Sequence, residues 1–251
     1  MQLPPLLRAA VDRALEGVSS AELTSAAQKL SDRYRAEVRD GTPHLDHQHA
    51  ALAYLGTRLP ATFAAIRRSF EAVAAASPGF APATTLDAGA GPGTASWAAS
   101  DCWPTVSDAL LVESNATIRT LGERLMTEAA PRVAWSAADL TGGLPDVTKR
   151  DLVTLAYVLD ELALAARDTL VDRLWELTAG VLVIVEPGTP AGWQRILRAR
   201  VRLIEKGAAV VAPCPHAQAC PLIEPDWCHF AARVARGRGE CVAIPRACPA
   251  R

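Results

Sequence analysis

The feature that most constrains the fold is a glycine-rich turn directly after a short apolar run. Residues 86–94 read Leu-Asp-Ala-Gly-Ala-Gly-Pro-Gly-Thr, so Gly89, Gly91 and Gly93 alternate with other residues shortly after Asp87. Glycine has no Cβ, so it adopts positive φ at little cost and allows the backbone to approach a ligand closely. Such a turn between a strand and a helix is typical of nucleotide-binding α/β folds.

Short apolar runs alternate with amphipathic stretches from about Ala83 onward, a pattern typical of a mostly parallel sheet covered by helices on both faces. Residues 1–80 instead show apolar positions at helical spacing, and Pro60 is expected to break or restart a helix over 47–76. The sequence thus predicts a helical N-terminal cap (1–80), an α/β domain (81–212) and a cysteine-rich loop with an atypical tail (213–251). The predicted strands of the sheet are 84–88, 109–113, 132–136, 151–157, 181–186 and 208–212.

The spacing of the turn and of two later acids indicates which nucleotide is bound. The turn is Gly-x-Gly-x-Gly, which departs from the Gly-x-Gly-x-x-Gly that places a dinucleotide pyrophosphate on a helix, so NAD is the weaker interpretation. Glu113 ends the second predicted strand, where a carboxylate accepts hydrogen bonds from ribose hydroxyls, and Asp139 follows the third, near an expected adenine. Together these features predict a Rossmann-like class I methyltransferase fold. We expect it to bind S-adenosylmethionine through Asp87, Gly89, Gly91, Gly93, Glu113 and Asp139.

Acidic residues also follow the fourth and fifth predicted strands, at the edge where open α/β sheets bind substrates. Asp160 and Glu161 either open the next helix, where the macrodipole favours them, or face the substrate. No Asn/Asp-Pro-Pro-Tyr/Phe loop follows the fourth strand, so the methyl acceptor is not specified. We identify no catalytic residue, because methyl transfer can proceed by positioning alone.

Five of the six cysteines come after residue 213, and a cluster of this kind in a reducing compartment suggests a metal rather than disulfides. Cys214, Cys220 and Cys228 lie on one proline-rich loop whose Trp227 and Phe230 are expected to enclose a metal centre. The loop suits either an iron-sulfur cluster or zinc, and His216 or His229 is available to complete a zinc site. Spacing does not choose a fourth cysteine between Cys241 and Cys248.

The net charge of −1 conceals an asymmetry, since residues 191–251 carry ten Lys or Arg against four acids. Arg195, Arg198, Arg202 and Lys206 recur at helical spacing opposite Leu197, Val201 and Ile204. This predicts one buried face and one basic face, which either contacts RNA or is an ordinary solvated surface. We expect no membrane partner, since no apolar run reaches the roughly 20 residues that span a bilayer. We expect no DNA partner either. The start of the chain resembles no export leader, which predicts a cytoplasmic location.

Several motifs together carry a family resemblance. They occupy residues 53–62, 86–97, 186–192, 212–216 and 226–230. The combination resembles the methyltransferase-like proteins of the mitochondrial small ribosomal subunit and their bacterial relatives. The resemblance implies a 4Fe-4S cluster, with Cys214, Cys220 and Cys228 matching the first three ligands. The family's fourth cysteine lies farther downstream than this chain extends, so Cys248 is taken as the fourth ligand, with Cys241 as the alternative.

Two functional hypotheses follow from the motifs and the resemblance. In the first, the protein is an S-adenosylmethionine-dependent methyltransferase acting on the small ribosomal subunit, either on its rRNA or on another component. In the second, it is a catalytically inactive assembly factor that binds rRNA through a basic C-terminal surface.

Overall fold

The computed structural model describes residues 1–35, 48–127 and 131–234. The N-terminal part contains the helices α1 (Pro5–Leu15), α2 (Ser20–Arg35), α3 (Gln48–Thr57) and α4 (Leu59–Ala76). Pro60 lies in the first turn of α4, where a missing N–H breaks no helical hydrogen bond, so the predicted break is confirmed. Across the described ranges, no helix combines the length and the apolar character that spanning a bilayer requires.

A five-stranded parallel sheet follows, in the order β3-β2-β1-β4-β5. The strand order reverses direction between β1 and β4, which is the switch point at which open α/β sheets bind ligands. The predicted α/β class I methyltransferase fold is therefore confirmed. In chain order the elements are β1 (Thr84–Ala88), α5 (Thr94–Cys102), β2 (Asp108–Val112), α6 (Ala116–Leu125), β3 (Arg132–Ser136), β4 (Arg150–Ala156), α7 (Leu164–Glu176), β5 (Thr178–Val185) and α8 (Pro190–Glu205).

The central strands are apolar because both faces of the sheet are covered. On one face, Phe63 and Phe70 of α4 pack with Trp103 and Leu111 in a cluster that includes residues of α1 and α5. On the other face, Leu86 of β1 packs with residues of α7 and α8. The N-terminal helices are thus part of the same core as the sheet, and they bring their side chains close to the carboxyl end of β1.

The predicted sixth strand, 208–212, is not a strand in the structure. Gly207 ends α8 with φ +87°, and the Ala208 amide donates to the Leu203 carbonyl. The following residues form no ladder with the described sheet, in which β5 is the edge. An apolar run does not specify a ladder partner, and this is the physical reason why the prediction was wrong.

The predicted faces of α8 are also wrong. Arg195 is buried, while Val201, expected in the core, is 50% exposed. Arg198 donates to Asp168, and Arg202 and Lys206 both pair with Asp172, so the acids of α7 offset most of the expected basic face. A basic stripe at helical spacing looks the same in sequence whether it faces solvent or an acidic stripe on a neighbouring helix.

Replacing Phe70 tests how far the N-terminal helices stabilise the sheet. The ring is fully buried, and its centroid lies 5.2 Å from that of Trp103. We expect Phe70→Ala to lower the free energy of unfolding by about 3–5 kcal/mol, because a large cavity opens between α4 and the sheet. Urea denaturation measures the change. Phe230→Ala, at a ring that is 72% exposed, is the control and should change it by less than about 0.5 kcal/mol. Equal effects would contradict a shared core.

Candidate functional site

The three glycines of the turn have different structural roles, although all have positive φ: Gly89 +69°, Gly91 +54° and Gly93 +82°. A Cβ on Gly89 would lie 2.4 Å from the Val158 side chain, and one on Gly93 would lie 2.6 Å from that of Met126. A Cβ on Gly91 would meet no described atom within 4 Å. Packing against Val158 therefore disfavours a side chain at the first glycine and positive φ disfavours one at the third, while the second faces open space at the end of β1.

Asp87, the fourth residue of β1, is a buried carboxylate with an unmet hydrogen-bond acceptor. Its Oδ1 accepts a hydrogen bond of 2.7 Å from the Thr154 hydroxyl. Its buried Oδ2 has no partner among the described residues. Burial raises the pKa of Asp87 to about 7, and the nearby Glu113 carboxyl adds to this rise. A buried acceptor without a donor is rare in native structures and points to a ligand that supplies one.

Glu113 follows β2 and links two loops at the same edge. Its Oε2 accepts the Gly91 amide at 2.9 Å, and its Oε1 accepts the Asn115 amide at 2.8 Å. Burial raises the pKa of Glu113. Each carboxylate oxygen can accept more than one hydrogen bond, so both remain able to accept a hydroxyl. The backbone thus holds the carboxylate in a fixed orientation beside the turn.

Asp139, the remaining predicted cofactor residue, lies in the loop after β3. Its side chain is exposed, and its Oδ1 accepts the Thr141 amide of its own loop at 2.8 Å. The structure thus brings Asp87, the glycine turn and Glu113 together. The hydrogen bond accepted by Asp139 is local to its loop and does not connect it with them.

Sequence reasoning missed two tyrosines near this site. Tyr54 of α3 donates a hydrogen bond of 3.3 Å to Thr62, and burial raises its pKa, with Asp87 among the charges that it senses. Tyr157, directly after β4, has φ +61°, which a bulky side chain rarely adopts. Burial also raises the pKa of Tyr157, with Tyr54 and Glu186 nearby. The sequence contained a signal for both, because Tyr54 lies within the 53–62 motif and Tyr157 ends the predicted fourth strand, shortly before Asp160 and Glu161.

A second group of acids lies at the ends of β4 and β5, and we name Asp160, Glu161 and Glu186 the carboxyl cluster. Asp160 is 9% exposed, and its Oδ1 has no hydrogen-bond partner among the described residues. Glu161 itself is exposed, but loss of hydration at its carboxyl group and the charges of Asp160, Glu113 and Glu186 raise its pKa to about 7. α7 begins only at Leu164 and has no acid in its first turn, so the helix-opening interpretation of Asp160 and Glu161 is wrong.

Glu186 is the member of the carboxyl cluster that has a cationic partner. Its Oε2 accepts from Arg195 Nε of α8 at 2.6 Å, and its Oε1 accepts the Leu159 amide at 3.1 Å. Both side chains of this ion pair are almost completely buried. Burial raises the pKa of Glu186 to about 7, although Arg195 opposes the shift. The pair ties the loop after β4 to the start of α8.

The cysteine-rich loop runs back along α8. Arg200 donates to the His216 carbonyl, and Trp227 Nε1 donates to the Gly188 carbonyl at 3.1 Å. Burial raises the pKa of Cys228, and the nearby Cys214 and Cys220 raise it further. Cys228 therefore lies close enough to Cys214 and Cys220 for their charges to act on it.

The described part of the loop does not form a finished metal site. Within residues 1–35, 48–127 and 131–234, no three His, Cys, Asp or Glu side chains converge on one metal position. Phe230 is 72% exposed, so the expected aromatic enclosure is also not observed. Cys241 and Cys248, the two candidates for the fourth ligand, lie outside the described residues.

The raised carboxyl pKa values predict how stability depends on pH. Asp87, Glu161 and Glu186 titrate near 7 in the folded protein and near 4 when unfolded, so between these values the native state binds more protons. Stability of the ligand-free protein should therefore fall as pH rises from 5 to 8. Asp87→Asn should remove on the order of 3 kcal/mol of this dependence. Thermal denaturation of wild type and Asp87→Asn across that pH range measures how the stability of each depends on pH. Parallel curves for the two proteins would contradict the prediction.

Comparisons with known proteins agree on one family. The family model described as mitochondrial small ribosomal subunit Rsm22 matches residues 48–248. The human "Ribosome assembly protein METTL17, mitochondrial" is 30% identical over 229 residues, covering 83% of this chain and 50% of that protein. "Rsm22-cox11 tandem protein 2, mitochondrial" of Schizosaccharomyces pombe is 30% identical over 154 residues, covering 55% of this chain and 20% of that protein. The chain thus spans half or less of the length of these relatives.

Solved structures with a similar arrangement are more distant. An O-methyltransferase family protein from Burkholderia thailandensis has a TM-score of 0.44 and 18% identity, covering 66% of this chain and 52% of that one. The fold assignment therefore rests on the strand order and connections described above.

The comparisons correct the predicted location. A cytoplasmic protein was expected because the start of the chain resembles no export leader. The family model and both relatives are described as mitochondrial, which indicates a mitochondrial location instead. Hydropathy near one end of a chain detects secretory leaders, and it does not report the compartment in which relatives work.

Proposed function

Because the chain belongs to the mitochondrial small ribosomal subunit Rsm22 family, we propose that it is a methyltransferase-like ribosome-assembly protein that binds S-adenosylmethionine at its glycine turn. The observation that carries the cofactor proposal is the buried Asp87 Oδ2, which has no partner among the described residues and lies at the same sheet edge as Gly91, the glycine of the turn at which an added Cβ would meet open space. The association with the small ribosomal subunit is supported by the description of the family, and ribosome assembly by the name of the human relative.

The chemistry of the turn favours this cofactor over a dinucleotide. S-adenosylmethionine carries an ammonium, a sulfonium and a ribose diol, whereas a dinucleotide would bring an anionic pyrophosphate to the turn. The Gly91 amide of the turn already donates to Glu113, whose carboxyl group lies near that of Asp87. Glu113 would accept from the ribose hydroxyls, Asp87 would face the ammonium end, and Asp139 would lie toward the adenine. When bound, the cofactor would supply an activated methyl group.

Gly91→Ala tests the cofactor site, with a matched control elsewhere in the chain. The new methyl group would occupy the space that the cofactor needs, so we expect at least about tenfold weaker binding of S-adenosylmethionine by calorimetry, a loss of about 1.4 kcal/mol. Gly17→Ala is the control, because Gly17 also has positive φ (+76°) and no described atom within 4 Å of an added Cβ. Both variants incur the same backbone strain, about 1–2 kcal/mol. Wild type that binds no cofactor at millimolar concentration, or two equally affected variants, would refute the proposal.

The role of the basic C-terminal surface in rRNA binding has less support. Arg195 is buried against Glu186, and the acids of α7 pair with three of the other basic side chains of α8. The second hypothesis, an assembly factor without turnover, therefore rests on the family and not on this surface. The cofactor proposal is compatible with either role, because binding a cofactor does not require turnover.

We also propose that the cysteine-rich loop binds a 4Fe-4S cluster through Cys214, Cys220 and Cys228, with Cys248 as the fourth ligand. The support is the donor type of three thiols on one loop and the proximity of Cys228 to Cys214 and Cys220. Thiolates are the ligands of iron-sulfur clusters, and zinc bound with His216 or His229 is the alternative. The described thiols do not yet converge on one metal position, so binding would have to draw them closer together.

Metal analysis of anaerobically purified protein tests the cluster. We expect about four iron and four sulfide per chain, with visible absorption, and we expect Cys220→Ser to lose most of both. Cys102→Ser is the matched control, because Cys102 is a half-buried thiol on α5. A colourless preparation that holds stoichiometric zinc would replace the cluster with a zinc site. Iron content that is unchanged in Cys220→Ser would remove this loop from the proposal.

A further inference from the structure

Acidic side chains predominate at the carboxyl end of the sheet. Asp87 and Glu113 lie at the ends of β1 and β2, and the carboxyl cluster lies at the ends of β4 and β5. The Leu159 amide, directly before Asp160, donates to Glu186 Oε1, and the charges of Asp160, Glu113 and Glu186 all act on Glu161. Arg195 pairs with Glu186, and Arg119 lies near Glu113, but the acids of this edge outnumber these two cations. The edge beside the proposed cofactor turn therefore attracts cations.

The carboxyl cluster also contains an unmet acceptor. Asp160 is nine-tenths buried, and its Oδ1 has no hydrogen-bond donor within the described ranges. Asp160 adjoins Leu159, whose amide donates to Glu186 Oε1, and beside burial the charge of Asp160 raises the pKa of both Glu161 and Glu186. Neighbouring carboxylates without a shared donor repel one another, and a ligand that brings positively charged N–H groups relieves that repulsion.

We infer that the carboxyl cluster is a recognition site for a protonated amine, such as a lysine side chain in a basic protein segment. This inference rests on the proposed function only because it treats the carboxyl cluster as the side of the cofactor pocket that faces the methyl acceptor. An ammonium group offers three donors and one positive charge, which matches Asp160 Oδ1 and the adjoining Glu161. The partner is accordingly a lysine-rich polypeptide of the assembling subunit.

Two other occupants fit this site less well. RNA would bring phosphates against several carboxylates, an arrangement that electrostatic repulsion disfavours. A divalent cation would need converging ligands, and no three acidic, histidine or cysteine side chains of the described chain are placed to hold one. An ammonium group does not require such convergence, since each of its N–H groups can donate in a different direction.

Peptide binding tests the inference with matched charge changes. A fluorescein-labelled lysine-rich decapeptide is titrated with full-length protein by fluorescence anisotropy at low salt. The double variant Asp160→Asn/Glu161→Gln should bind it at least about tenfold more weakly, a loss of about 1.4 kcal/mol. The control Glu176→Gln/Glu205→Gln removes the same charge from exposed positions in the last turns of α7 and α8, and we expect it to bind within about twofold of wild type. Thermal denaturation of each variant verifies that it is folded.

The outcomes separate this inference from the proposed function. Equal weakening in both double variants would show general charge attraction and overturn the inference. It would also be overturned if a single-stranded RNA of the same length bound more tightly than the peptide and competed with it. Calorimetry with S-adenosylmethionine on the same proteins is the independent arm. If the wild-type protein binds the peptide but not S-adenosylmethionine, the proposed function is refuted and the amine site stands. If it binds S-adenosylmethionine but not the peptide, the amine site is refuted and the proposed function stands.

Discussion

Carboxyl groups that are withdrawn from water at one edge of the sheet impose the main constraint on this site. Parallel strands joined by crossover helices all end at the same edge, so acids that follow different strands are brought together. Each such acid needs a donor. Thr154 supplies one to Asp87, backbone amides supply two to Glu113, and Arg195 supplies one to Glu186. These contacts connect loops that are far apart in sequence.

The N-terminal helices complete the site from the other side. α4 packs in the same apolar core as the sheet, and α3 carries Tyr54 toward the end of β1, where it senses the charge of Asp87. Tyr157 approaches from the loop after β4 in a conformation that costs free energy for a bulky side chain. Because the helices share the core of the sheet, they position site residues as well as stabilising the fold.

Much of this architecture could be predicted from local patterns. The first and third strands have the predicted limits, and the other observed strands differ from the predicted ones by a few residues. A short apolar run that is bounded by glycine or polar residues is typical of a buried strand, so its position can be predicted from sequence. The glycine turn and Glu113 were likewise predictable, since their spacing reflects backbone geometry. The sixth strand and the basic face of α8 failed for one shared reason. Both depend on a partner, an adjoining strand in one case and the acids of α7 in the other, and a one-dimensional pattern does not name that partner.

The sequence by itself determined the order of the elements, the positive-φ turn and the residue types at the strand ends, because these depend on short-range sterics and on hydrophobic periodicity. Only the tertiary structure decided which charges meet. It paired Arg195 with Glu186, left one oxygen each of Asp87 and Asp160 without a donor from the described residues, and placed Asp160 and Glu161 ahead of α7. Ionic pairing and burial depend on distances in space, and residues 30 or 67 positions apart in the chain acquire those distances only when the sheet has formed.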